Sequence, residues 1–147
     1  MDYPRIFEEF LASHHYLCLA TISPEGNPWA SPLSYVSLDK QTLYFISHVR
    51  SNHSLNIVHN KKVAISIYNT EQIPGNAFGV QCCGEVEIIS QEEVPDFIQE
   101  KLFNLVSLVI LEREYAFYKI NITEAYLPDA NRWKESGGIG VSVDLTI

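Results

Sequence analysis

Ser47, Arg50, Ser51 and His53 lie within seven residues of one another, and each is of a type that binds anions. Their surroundings favour that chemistry. Between Asp39 and Glu71 the chain carries Lys40, Arg50, Lys61, Lys62, His48, His53 and His59 but no Asp or Glu. A strand ending at Ser47, a short loop with Arg50 and a helix opening at Ser51 offer free backbone N–H groups, a positive dipole end and a guanidinium. Phosphate is the anion such a corner suits best. The same pattern also describes a solvated basic helix face with His53 as a surface histidine, and spacing does not separate the two.

Other reactive side chains carry weaker signals. Cys18, Cys82 and Cys83 are odd in number and lack CxxC spacing. Neighbours on a strand point to opposite faces, so the pair at 82 and 83 suggests buried thiols and neither a disulfide framework nor a zinc site. His14 and His15 are adjacent and lack the i, i+4 spacing of a helical metal site. No Gx[ST]xG elbow supports a serine nucleophile, and no residue stands out as a substrate-specific acid or base; Tyr35 and His48 are the nearest candidates. Tyr35, Tyr44, Phe45 and Tyr68 read as core aromatics. Glu92, Glu93, Asp96 and Glu100 read as a solvated acidic face near a helix start.

The elements that must position these groups follow from hydrophobic period and turn chemistry. Ile6, Phe7, Phe10 and Leu11 recur at helical spacing after Pro4. Strands are expected at Tyr16–Ile22, Trp29–Leu38 and Thr42–Ser47, separated by Ser23-Pro24-Glu25-Gly26-Asn27-Pro28 and by Asp39-Lys40-Gln41. Pro32 places the second strand at an edge or a bulge. A helix from Ser51 to Asn60 precedes a strand at Lys62–Asn69. Phe78–Ile89 reads as a long strand broken near Gly84. Ser90 to Glu93 resembles a capping box opening a helix to about Leu105, and Leu105–Leu111 suits helix or strand. Ala116–Ile122 and Ala125–Leu127 are the last expected strands, and the Gly137-Gly138 tail is loosely specified. Six or seven strands with few helices predict a mainly β, antiparallel domain over residues 1–147.

Ten Lys and Arg against eighteen Asp and Glu give a net charge of −8. So acidic a chain disfavours nucleic acid and anionic membrane surfaces as partners. The longest apolar run is far short of the ~20 residues of a membrane span, and the acidic N-terminal segment lacks a signal-peptide core; the expected location is cytoplasmic.

Four segments together carry a family resemblance. They are LATISPEGNPWASP at Leu19–Pro32, LYFIS at Leu43–Ser47, the helix start with Ser51, His53 and Asn56, and GVQCCGE at Gly79–Glu85. In this order and spacing the chain resembles the pyridoxamine 5′-phosphate oxidase-like, FMN-binding split β-barrel proteins over Tyr16–Ile89. It is most similar to a bacterial branch with histidine where most members carry Lys or Arg. The resemblance implies a Greek-key-like split barrel that binds FMN noncovalently in a cleft between two subunits of a homodimer. Ser47, Arg50, Ser51 and His53 would lie at the phosphate. The strand from Trp29 to Ser34 would run beside the ring and ribityl chain, with Ala30 and Ser31 closest. Gln81 would hydrogen-bond the flavin, and Trp133 or Tyr126 from the partner subunit could cover it. The implied activity is an FMN-dependent oxidoreductase with a small-molecule substrate. The alternatives are a flavin-storing module, or a haem or deazaflavin (F420) binder on the same fold. A histidine at position 53 would make phosphate affinity fall between about pH 6 and 8.

Overall fold

The computed structural model describes residues 2–72, 78–106, 108–128 and 140–146. Helix α1 (Tyr3–Ser13) starts on an Asp2 cap, with Pro4 in its first turn, and buries Phe7 and Leu11. Eight antiparallel strands follow, interrupted by helices: β1 (Tyr16–Ile22), β2 (Pro28–Ser34), β3 (Val36–Ser37) and β4 (Thr42–His48), then α2 (Asn52–His59). Next come β5 (Lys62–Tyr68), β6 (Gly79–Ile89), a 3-10 turn (Gln91–Glu93), α3 (Asp96–Leu105) and α4 (Leu108–Leu111), before β7 (Tyr115–Leu127) and β8 (Val141–Ser142).

The strands pair in the order β2-β1-β5-β6-β7-β4-β3, with β8 on the far end of β7. This is a mainly antiparallel sheet curled into a split β-barrel. Its hydrogen-bonded path ends at β2 on one side and at β3 beside β4 on the other. Pro32 sits on β2, which among the described residues is an edge strand paired with β1 alone and so tolerates a residue without an N–H. Gly26, at φ +83°, lets the β1–β2 turn close, with Gly26 N–H donating to the Ser23 carbonyl.

Several boundaries differ from the sequence expectation for physical reasons. The expected strand Trp29–Leu38 breaks at Tyr35. Tyr35 turns inward: its hydroxyl donates to the Leu11 carbonyl at 2.8 Å and its N–H to that of His15. The expected helix from Ser90 is a 3-10 turn followed, after Pro95, by α3, because Pro95 lacks the N–H that a continuous helix needs there. The strands expected at Ala116 and Ala125 are one strand, β7, kept continuous by a register shift opposite Cys83 and Gly84. Gly84 does not break β6. It allows close approach, since a Cβ there would lie 2.7 Å from the Asn121 carbonyl oxygen.

Two cores meet at β4. Leu43 and Phe45 face the barrel interior, with Leu19, Ile65, Ile120 and a stacked Tyr118. Tyr44 and Ile46 face the other way, into a second cluster with Ile98 and Leu102 of α3 and Phe117. Burial on both faces explains the unbroken apolar run of β4. Tyr68, read as core, is exposed, because it lies on the open face of β5.

Candidate functional site

The split between the two ends of the sheet holds a cleft of about 450 Å³. One wall is the C-terminal part of β2 (Pro32, Leu33, Ser34), the other the end of β4 (Ile46, Ser47, His48). Ser51 and His53 at the start of α2 close one end, and Leu105, Val106 and Ile110 cover it. Helix α2 is fixed by Ile57 in the barrel core and by a buried hydrogen bond from Asn56 Nδ2 to Thr21 Oγ1, 3.0 Å long.

The polar end of the cleft is tightly organised. Ser51 caps α2, its hydroxyl accepting from the Ser54 N–H while lying 2.9 Å from the His48 carbonyl and 2.7 Å from Ser54 Oγ. His53 Nε2 is 2.6 Å from Ser47 Oγ and 3.1 Å from Ser51 Oγ. His53 is only 8% exposed, so the alternative reading of it as a surface histidine does not hold. Burial pushes its pKa down to about 4, leaving the ring neutral at pH 7. Nδ1 of His48 accepts the Arg50 N–H at 3.1 Å, so a neutral His48 carries its proton on Nε2.

The sequence-predicted residues divide into groups. Ser34, Ser47, Ser51 and His53 line the cleft. Ser31 is buried on the interior face of β2 next to it. Arg50 is exposed in the β4–α2 loop and is not among the lining residues. Trp29 is exposed near the start of β2. Ala30 and Gln81 lie elsewhere, on the outer face of the sheet; Gln81 lines a shallow apolar depression of about 320 Å³ there with Cys18, Ala20, Ala64, Ser66 and Tyr126. Trp133 lies outside the described residues. The cleft wall of Leu105, Val106 and Ile110 escaped the sequence reading. Its only signal was the apolar run after Leu105, whose partner surface is 60 residues away in the chain.

The thiols also separate by strand parity. Cys82 is buried, which pushes its pKa up to about 12, whereas Cys83 is exposed and Cys18 half-buried. The expectation of three buried thiols therefore holds for Cys82 alone. Among the described residues no cluster of His, Cys, Asp and Glu could hold a metal ion, and no helix is long and apolar enough to cross a membrane.

Comparison with known proteins agrees with this architecture. HutZ, the haem storage protein of Vibrio cholerae, superposes with a TM-score of 0.69 at 14% identity, covering 86% of this chain and 95% of that one. A FAD-binding protein of Mesorhizobium loti gives a TM-score of 0.63 at 20% identity, covering 80% and 85%. An F420 reductase gives 0.63 at 22% identity, covering 81% and 94%. At these identities the likeness is one of fold. No curated protein matches the sequence. The sequence model of the pyridoxamine 5′-phosphate oxidase family, however, matches residues 5–127. Split barrel, antiparallel order and sequence match agree: the chain belongs to the pyridoxamine 5′-phosphate oxidase family.

Proposed function

We propose that the cleft binds FMN noncovalently and that the chain works as a flavin-dependent oxidoreductase in the cytoplasm. The observation that carries this reading is the cluster of Ser47, Ser51 and His53 at the N-terminus of α2, opening into an apolar-walled cleft. The donor set fits a phosphate monoester: two hydroxyls, an imidazole and the positive end of a helix. The volume lies in the range of cofactor sites, and Leu33, Ile46, Leu105 and Ile110 offer apolar surface for a flat ring. Bound flavin supplies two-electron redox chemistry. The chain's residues anchor the phosphate, orient the ring along β2 and exclude water with the α3–α4 segment. Arg50, exposed beside the socket, adds long-range attraction.

A homodimer reconciles the two groups of predicted residues. On the open sheet face, Ala30, Ala20, Ala64, Cys83 and Glu124 lie in register across five strands, and Pro32, Cys18, Ser66, Gln81 and Tyr126 form the next row. Apart from Glu124, which accepts from the Tyr126 hydroxyl at the β7 end, both rows are small or uncharged. Packed against a second copy, this face would bring Gln81 and Tyr126 of one subunit toward the cofactor of the other. No helix lies over these rows among the described residues.

Haem is the weaker reading, on the chemistry of the donors. A histidine ligand needs a free ring nitrogen. In the cleft, Nε2 of His53 is occupied by two hydroxyls, and Nε2 of neutral His48 bears the proton. Titration of the purified protein with FMN, haemin and F420 separates these ligands. The expected result is quenching of flavin fluorescence by FMN, with bleaching on addition of NADH or NADPH. Absence of FMN binding overturns the proposal, and binding without bleaching by any donor leaves a storage module.

A further inference from the structure

Side-chain hydrogens are scarce at the polar end of the cleft. The single hydroxyl hydrogen of Ser51 is claimed by the His48 carbonyl and by Ser54 Oγ. Ser47 also has one, and it can serve His53 Nε2 or an incoming anion but not both. A neutral imidazole has one N–H to share between two nitrogens. Among the described residues no Lys or Arg lines the cleft. A dianion entering it would therefore be buried opposite uncharged groups, at a large desolvation cost.

We infer that a phosphate dianion enters this cleft together with one proton, which comes to rest on His53. The inference rests on the FMN reading above. The proton comes from solvent, and the only new covalent bond is N–H at the imidazole. The imidazolium faces the anion, and the Ser47 hydroxyl turns to donate to it.

The groups around His53 explain why the ring is neutral until an anion arrives. β4 presents Phe45, its ring centroid 6.3 Å away, with Ser47 and His48, whose Nδ1 accepts the Arg50 N–H. The α2 terminus repels a cation, the β2 side offers Ser34, and the covering segment is apolar. Tyr118 of β7 is buried beside Ser54, and burial keeps its hydroxyl protonated. Arg50 is exposed outside the cleft, and among the described residues no carboxylate lines it. With free His53 near pKa 4, affinity should fall up to tenfold per pH unit above about pH 6, where a phosphate monoester is already a dianion. Between about pH 4 and 6, loss of the second phosphate charge offsets the gain in imidazolium, and affinity should be flat.

Calorimetric titration with FMN at pH 7, in buffers of different ionisation enthalpy, reads the proton directly. The expected result is uptake approaching one proton per FMN and none per riboflavin, which lacks the phosphate. Nitrogen chemical shifts of labelled His53 should move from neutral to imidazolium values, separating uptake by the ring from uptake by the phosphate. His53→Lys, with a fixed charge, should bind FMN with no uptake and a flat pH profile. FMN binding with a neutral His53 overturns the inference, since Nε2–H then relays through Ser47 to the anion. If FMN fails to bind at any pH, the functional reading falls. The His53 shifts during titration with inorganic phosphate then decide the proton question alone: imidazolium supports it, and a neutral ring or no response overturns it.

Discussion

The cleft at the start of α2 and the open face of the sheet are built in opposite ways. In the cleft, polar side chains are buried and already bonded to one another, as in the contact of Ser47 with His53. On the sheet face, small side chains such as Ala64 lie exposed with nothing polar to satisfy. A buried polar cluster admits only a partner that replaces its hydrogen bonds, so it selects by chemistry. A flat face of small residues selects by shape, through close approach. Under the proposed function, ligand specificity and assembly would occupy separate surfaces, although family resemblance assigns residues of both to one cofactor.

The largest expected effect tests the sheet face. Ala64→Arg should raise the dissociation constant of the proposed dimer by a hundredfold or more, about the 3–5 kcal/mol of an uncompensated buried charge. Sedimentation would show the mass halving. A dimer that persists with unchanged affinity removes this face from the assembly. Next comes the cleft. Ser47→Ala should weaken FMN binding by roughly 1.5–3 kcal/mol, the worth of a charge-assisted hydrogen bond, and leave riboflavin binding unaltered. Equal loss for both ligands in a fluorescence titration would place the defect in the ring site or the fold.

His53 also predicts a pH dependence of stability without ligand. Its folded pKa lies below the unfolded value, so the unfolded chain binds the extra proton as pH falls. Stability should therefore decline from about pH 6.5 towards pH 4 and be insensitive to His53 above that window. Denaturant melts of wild type and His53→Gln should differ in this slope; parallel curves would mean the ring is hydrated. The smallest effect is expected at Arg50. Exposed and outside the cleft lining, it should contribute about 0.2–1 kcal/mol to FMN binding, screened by salt. A loss above tenfold in Arg50→Ala would mean that the loop folds onto the phosphate.

Local rules made much of this legible. Ser51 as N-cap and Asn60 as C-cap of α2 follow from side chains that bond their own backbone, and the structure has both. Pro32 at an edge and the turn at Gly26 follow equally from backbone chemistry. Boundaries set by distant partners were not legible. The kink at Tyr35 depends on the Leu11 carbonyl, and the bulge in β7 depends on Gly84 of β6. In the site, four residues close in sequence suggested an anion corner; the structure brings Ser47, Ser51 and His53 into one cleft and leaves Arg50 outside its lining. Their environment was not legible: spacing left His53 open between a phosphate-site group titrating at about pH 6.5 and a surface histidine, and the fold makes it buried and neutral.

By itself the sequence determined the residue types at the corner, the acid-free stretch around it and the strand periods that curl the barrel. Those properties belong to neighbours along the chain. Only the tertiary structure decided which of the predicted residues share a cleft, that α3 and α4 cover it, and that Gln81 lies on another face. These depend on strand order and burial, which bring distant segments together and strip water from a histidine. That removal of water is why an imidazole that the sequence leaves free to titrate near neutral pH is a neutral hydrogen-bond partner in the fold.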